Sequence, residues 1–235
     1  MNFFLSDLHS DLRGTRLTHR GATHRAEDVP RGTHKAYPRM EQIKLPVPEK
    51  LHATLQEALQ KRISYFGGSD TTMLSLETCG ALFSLALGKR NGSHHRNYPS
   101  GGALYPVETY LISAALEGSA PAVFHYNPSG HSLEKLWDLP RGFDMKELAR
   151  HPKEQLFSSL IVFTAVWDRS SAKYGDLAYQ HSLLEAGHMS QNILLIAAAL
   201  GLRTRPMAGF EDDLIVSLLD LDPVKEQTVH TIVMC

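Results

Sequence analysis

With 235 residues, the chain has the length of one domain that buries about 70% of its unfolded surface, and 24 basic against 25 acidic residues leave a net charge of −1, with no global field to attract nucleic acid. Cys79 and Cys235 are the only cysteines, which excludes a disulfide framework and a cysteine-based metal site. The longest apolar stretch, Ile193 to Leu202, is short of a membrane span and no signal-peptide pattern opens the chain, so a cytoplasmic protein acting away from membranes is expected.

Residues 1–48 lack a sustained apolar period and are broken by glycines and by Pro30, Pro38, Pro46 and Pro48, which predicts an extended arm. Residues 49–235 then form the folded domain. Leu51, Leu55, Ala58, Leu59 and Ile63 recur at helical spacing and predict a first helix from Lys50 to Ile63. Ser75 caps a second helix whose buried face is Leu76, Cys79, Leu82, Phe83 and Ala86, stopped by Gly88. After the loop Lys89 to Pro106, Val107 to Leu116 reads as a strand. Val123 to Tyr126 and Ser132 to Leu136 flank Asn127-Pro128-Ser129-Gly130-His131, a hairpin signal. Leu160 to Val166 is rich in β-branched and aromatic residues, as a buried strand should be. A long helix from about Leu177 to Leu200 stops at Gly201, Asp212 or Asp213 caps a short helix through Leu219, and Val229 to Met234 closes as a strand. Helices and strands are interspersed without regular alternation, which makes the fold class α+β.

Pro99-Ser100-Gly101-Gly102-Ala103 carries no bulky side chain, so its backbone N–H groups can approach a flat acceptor ring such as a flavin; a tight loop before a strand accounts for the same run. Lys61, Arg62 and Ser64 can hold a phosphate by charge-assisted hydrogen bonds, as the dianionic tail of FMN requires, or they are a solvated helix end. No Gly-x-Gly-x-x-Gly follows a strand, so a Rossmann site is not indicated. Tyrosine titrates near 10, so Tyr174 needs a neighbouring positive charge to act as a base at neutral pH, and Lys173 can supply it; a surface loop is the alternative. Glu185, His188 and Asn192 follow at i+3 and i+4 steps, with His181 one turn earlier. That set lacks the His-Glu-x-x-His order and a softer fourth ligand, so no metal is expected and a helix–loop hydrogen-bond network is the better reading. Gln191 and Asn192 can instead present amides to a flavin edge.

Five motifs stand in order along the chain: Tyr98-Pro99-Ser100-Gly101-Gly102-Ala103-Leu104-Tyr105-Pro106-Val107-Glu108; Phe124-His125-Tyr126-Asn127-Pro128 followed by Leu133-Glu134; Lys173-Tyr174; Leu184-Glu185-Ala186-Gly187-His188-Met189-Ser190-Gln191-Asn192; and Ala208-Gly209-Phe210 before Asp212-Asp213. In order and spacing they resemble the SagB-type dehydrogenases. These are the FMN-dependent branch of the nitroreductase superfamily that oxidises thiazolines and oxazolines to azoles in ribosomally made peptides, and the likeness is greatest to the oxidases of microcin-type antibiotics. The resemblance runs from about Leu51 to Cys235, and His34-Lys35-Ala36-Tyr37-Pro38-Arg39 is similar to the segment that precedes the domain in family members.

The resemblance implies a nitroreductase-like fold, with a central, mainly antiparallel sheet flanked by helices, and a homodimer whose subunits share the flavin sites. It implies FMN as cofactor, Lys173 and Tyr174 as the catalytic pair, and Ala208 and Gly209 beside Pro99, Ser100, Gly101 and Gly102 among the cofactor contacts. It further implies dioxygen as electron acceptor, an azoline-containing precursor peptide as substrate and a cyclodehydratase complex as partner; a contact of the basic, proline-broken arm with that partner is a separate expectation, tested by truncating residues 1–48. Where nitroreductases show Arg-Arg-Ser-x-Arg, this chain has Lys61-Arg62-Ile63-Ser64-Tyr65-Phe66, a remodelled phosphate clamp. An NAD(P)H-dependent nitro or quinone reductase and a non-catalytic scaffold subunit are the alternatives, because fold alone does not set function.

Overall fold

The computed structural model describes residues 30–48, 50–66, 73–90, 92–150 and 156–235. Among the described residues, seven strands form one sheet: β1 (Glu41–Lys44), β2 (Val107–Ser113), β3 (Ala122–Asn127), β4 (Ser132–Asp138), β5 (Ser159–Val166), β6 (Thr204–Met207) and β7 (Glu226–Met234). Their order is β1-β4-β3-β2-β5-β7-β6, and every neighbouring pair is antiparallel. The helices are α1 (Leu55–Lys61), α2 (Leu76–Leu87), α3 (Asp168–Tyr174), α4 (Leu177–Ala199) and α5 (Asp212–Leu218). The α+β class and the antiparallel sheet therefore stand as expected.

Successive strand residues face opposite sides of a sheet, and β2 uses both. Val107 and Leu111 join Phe124, Leu133 and Phe163 under α2 and α4, which contribute Leu82, Phe83, Met189 and Ile193. Tyr110 and Ile112 face the other way with Val123 and Val162, beneath Leu148, Phe157, Ile215 and Leu219. Both faces are covered, so every residue of β2 is buried.

Ser75 accepts from Thr78 N–H at the start of α2, as its sequence predicts. Helix α1 is shorter than its apolar period suggests. A capping box between Thr54 and Glu57 starts it, and Arg62 turns extended. Of its predicted buried positions only Ala58 is buried, whereas Leu55, Leu59 and Ile63 are 68%, 54% and 65% exposed. The N-cap position of α5 is Glu211 with no side-chain cap, so neither Asp212 nor Asp213 caps it; both lie in the first turn, where their charge complements the helix dipole.

Three elements carry no signal in the sequence. Strands β1 and β6 sit at the two edges of the sheet, where a polar tetrapeptide and a proline at Pro206 are tolerated because one side of the ladder is open. Helix α3 buries only Ser170 and so has no apolar period.

Candidate active site

The loop that precedes β2 is held in an unusual shape. Gly102, Ala103 and Tyr105 have φ of 63°, 56° and 52°, and only the first is a glycine. Left-handed conformations at the other two cost energy and need outside support. Tyr105 receives it from three directions. Its N–H donates to Ser100 Oγ at 2.9 Å, its hydroxyl accepts from Arg96 N–H at 2.9 Å, and its carbonyl accepts from Arg169 Nη1 at 3.1 Å.

Helix α3 follows β5 directly and ends in Lys173-Tyr174, with Gly175 terminating it at φ 55°. This brings the pair onto the glycine loop. A Cβ built on Gly102 would lie 2.8 Å from both Lys173 Nζ and Tyr174 Oη; one on Gly101 would lie 3.2 Å from His181 Nδ1 and 3.6 Å from Tyr174 Cε2. The missing side chains thus make room for the amine and the phenol. Lys173 Nζ stands 5.2 Å from the centre of the Tyr174 ring, and the His181 ring meets that ring edge-on at 4.6 Å.

Beside the pair lies a buried ionic chain: the sequence motifs contain Glu108, His125 and Glu134 but not Arg169, and they do not reveal the connection. Arg169, on the same helix as the pair, contacts Glu108 Oε1 at 2.5 Å. Glu108 Oε2 meets His125 Nε2 at 2.9 Å, and His125 Nδ1 meets Glu134 Oε2 at 2.8 Å. Both imidazole nitrogens face carboxylates, so the ring is a cation donating twice. Burial alone would depress the imidazolium, but the hydrogen bonds to Glu108 and Glu134 outweigh it and raise its pKa. Burial likewise pushes the Glu108 carboxyl up, yet His125, Arg169 and the Lys35 amide bring it down to about 2. Lys35 N–H donates to Glu108 Oε1 at 2.5 Å, Tyr37 N–H donates to Glu134 Oε2 at 3.0 Å, and the Lys35 ammonium pairs with Glu226. The segment before β1 is thereby fastened across the sheet. Charged residues inside otherwise apolar strands were the available signal, since unpaired burial of charge is prohibitive.

Glu185 is the second concealed group. It is 2% exposed, hydrogen-bonded to the Ser100 hydroxyl, and accepts from Val107 N–H at 3.4 Å. Burial lifts its carboxyl to about 7, against the opposing pull of Ser100, Arg96 and Arg169. The expected helix–loop network is here, between α4 and the loop. His188 is exposed while His181 packs on Tyr174, so the polar stripe diverges.

The remaining candidates lie in separate places. Asn192 spends its amide on Ala86 O at 3.2 Å and Asn97 O at 3.1 Å, clamping the end of α2 to the loop, while Gln191 is exposed beside it. Lys61 and Arg62 line a cavity of about 280 Å³ with Tyr65, Leu194 and Arg203, and Ser64 is half-buried next to them. From position 181 to position 194 along α4 the rise is about 20 Å, so in one chain this cationic cavity and the glycine loop are at opposite ends of the helix. Ala208 and Gly209 lie between β6 and α5, where Gly209 O accepts from Arg150 N–H at 2.8 Å.

Pro99, Ser100, Gly102 and Lys173 line a cavity of about 660 Å³, a volume suited to a flat organic cofactor or ligand. Among the described residues, no helix is long and apolar enough to cross a membrane.

Residues 69–235 match the family model described as the nitroreductase family. A nitroreductase-like protein of Methanocaldococcus jannaschii, MJ1384, is 30% identical over 77% of this chain and 90% of its own. The microcin B17-processing protein McbC of Escherichia coli is 31% identical over 73% of this chain and 64% of its own. The E. coli microcin synthetase McbBCD complex with truncated pro-MccB17 bound contains a chain that superposes with TM-score 0.61 and 28% identity, covering 69% of this chain and 64% of that one. Relative to McbC, therefore, this chain spans just under two thirds of the length. The chain belongs to the nitroreductase family of oxidoreductases.

Proposed function

We propose that the protein is a SagB-type, FMN-dependent oxidase that converts thiazolines and oxazolines of a ribosomally made peptide into thiazoles and oxazoles, with dioxygen as the electron acceptor. The observation that carries this reading is the convergence of Lys173 Nζ and Tyr174 Oη on Gly102, in a chain similar to the microcin B17-processing protein McbC.

Oxidation removes a proton and a hydride from adjacent positions of the azoline ring, which becomes aromatic. FMN, when bound, supplies the hydride acceptor and the route for electrons to dioxygen. The protein's own share is proton transfer and positioning. Tyr174 Oη takes the ring proton, with the Lys173 ammonium beside it and the His181 ring limiting the phenol's swing. General-base help of this kind contributes ~10²–10⁴ in rate. Pro99, Ser100, Gly101 and Gly102 would form the shelf for the flavin ring, Lys61, Arg62 and Ser64 would hold the phosphate, and Gln191, Asn192, Ala208 and Gly209 would complete the cofactor contacts.

Because the shelf and the phosphate residues are about 20 Å apart along α4 in one chain, a complete flavin site combines the loop of one copy with the cations of another. The exposed stripe Leu55, Leu59 and Ile63, with Leu183 and Leu184 on α4, is the apolar surface available to such a homodimer. The substrate ring arises by cyclodehydration of Cys, Ser or Thr, so a cyclodehydratase complex is the partner that supplies it.

The test is a visible spectrum of the purified protein followed by an azoline-containing peptide in air, with peptide mass as readout. A yellow protein that removes two hydrogens per ring without nicotinamide is expected. A yellow protein inert to azolines but bleached by NADPH would be a nicotinamide-dependent reductase, and a colourless one that takes up no FMN would be a scaffold subunit.

A further inference from the structure

The cavity of about 660 Å³ beside Gly102 has a single electrostatic character. Among the described residues, Arg31, Arg90, His94, His95, Arg96 and Lys173 line it and no carboxylate does. On a chain with net charge −1, this is a concentration of positive charge at one place. Arg96 forms its inner wall at 5% exposure. Its guanidinium donates to Tyr98 Oη at 2.7 Å and to Thr33 O at 2.9 Å and lies over the Tyr105 ring at 4.5 Å. These partners are all uncharged. The nearby Glu108 carboxylate is already engaged by Arg169, His125 and the Lys35 amide, and Glu185 by the Ser100 hydroxyl and Val107 N–H, so among the described residues no carboxylate forms an ion pair with Arg96. Arg31 and Arg90 are exposed at its mouth, and Lys173 joins it to the reacting pair.

We propose that this cavity binds a carboxylate of the peptide substrate, carried close to the ring that is oxidised. The proposal rests on the azoline-oxidase reading and adds the feature of the peptide that is recognised. A peptide's anions are carboxylates, and guanidinium groups pair with them through two parallel hydrogen bonds. The carboxylate comes either from an Asp or Glu side chain or from the peptide's C-terminus.

The experiment uses the full chain loaded with FMN and short fluorescent peptides containing one thiazole, the finished ring, so that binding is read without turnover. Four peptides combine Asp or Asn next to the ring with a free or amidated C-terminus. Dissociation constants are measured by anisotropy for the natural chain and for an Arg31→Ala/Arg90→Ala variant, with bound flavin quantified in each. The expected result is about tenfold weaker binding on loss of one kind of carboxylate, a difference that shrinks in the variant and with added salt, at equal flavin content. Whichever change weakens binding, Asp to Asn or acid to amide, names the source. Equal affinity for all four peptides would overturn the proposal, as would a variant that loses flavin, since the cations would then serve the cofactor's phosphate. If carboxylate-dependent binding is found but the matching azoline peptide is not oxidised, the oxidase reading fails and the carboxylate site remains.

Discussion

Arg169 and Glu108 form an ion pair 2.5 Å long between α3 and the second residue of β2. The same guanidinium holds the carbonyl of Tyr105. One side chain therefore fixes both the helix that ends in Lys173-Tyr174 and the loop that carries Gly101-Gly102, which is why the two parts meet.

Replacing Arg169 with Ala leaves Glu108 and the strained Tyr105 without a shared partner. Both ion-pair side chains are largely buried, at 15% and 2% exposure, and breaking a buried pair typically costs ~3–5 kcal/mol. Urea unfolding should show a loss of that order for Arg169→Ala and a smaller loss for Arg169→Lys, which keeps the charge but not the fork. Equal stability of Ala and natural chains would show that the pair contributes nothing.

Glu185 and Glu108 give opposite pH signatures. Burial raises the Glu185 carboxyl from 4.5 to about 7, so between these values the folded state holds a proton that the unfolded state releases, and stability falls as pH rises through that window. Glu108 is lowered from 4.5 to about 2; its contribution is present above 4.5 and is lost as pH falls toward 2. Glu185→Gln should flatten the slope between pH 4.5 and 7 and leave the acid limb intact, with a gain on the order of 1–3 kcal/mol at pH 8. Thermal melts across this range decide it, and an unchanged slope in the variant rules Glu185 out.

Gly102 and Gly92 have similar backbone angles, φ 63° and 70°, but different surroundings. A Cβ at Gly92 meets nothing within 4 Å, whereas one at Gly102 reaches 2.8 Å from Lys173 Nζ and Tyr174 Oη. Gly92→Ala should cost only the left-handed strain, ~1–2 kcal/mol, with turnover preserved. Gly102→Ala adds displacement of the pair, so azoline turnover should drop at least about tenfold. Matching activities in the two variants would separate the glycine loop from the chemistry.

Tyr174→Phe removes one oxygen at the point where the pair meets Gly102. Turnover of an azoline peptide should fall by ~10²–10⁴ while the protein stays yellow. A variant that loses its flavin would make Tyr174 a structural residue.

Local physics makes the principal elements legible in the order of residues. Helix α2 is written in Ser75, its 3.6-residue apolar face and Gly88. Strands β2 to β5 are written in β-branched and aromatic runs and the Asn127–His131 turn, and α4 in its length and Gly201. The motifs determined the family. Lys173-Tyr174 and Ser100-Gly101-Gly102 were visible as words, though each taken alone described an ordinary loop.

How these words combine is a matter of contacts made in three dimensions. Period and propensity concern neighbours within a few residues, whereas the Gly102–Tyr174 approach, the Arg169–Glu108–His125–Glu134 chain and the Asn192 clamp join residues far apart in sequence. Edge strands β1 and β6 escaped because an open edge relaxes the alternation that marks a strand. Helix α1 misled because its apolar stripe points away from its own core. The pattern shows that a face is covered, and only three dimensions show by what. The raised carboxyl of Glu185 follows from the same cause, since a charge's environment is set by what the fold stacks upon it and not by the letters beside it.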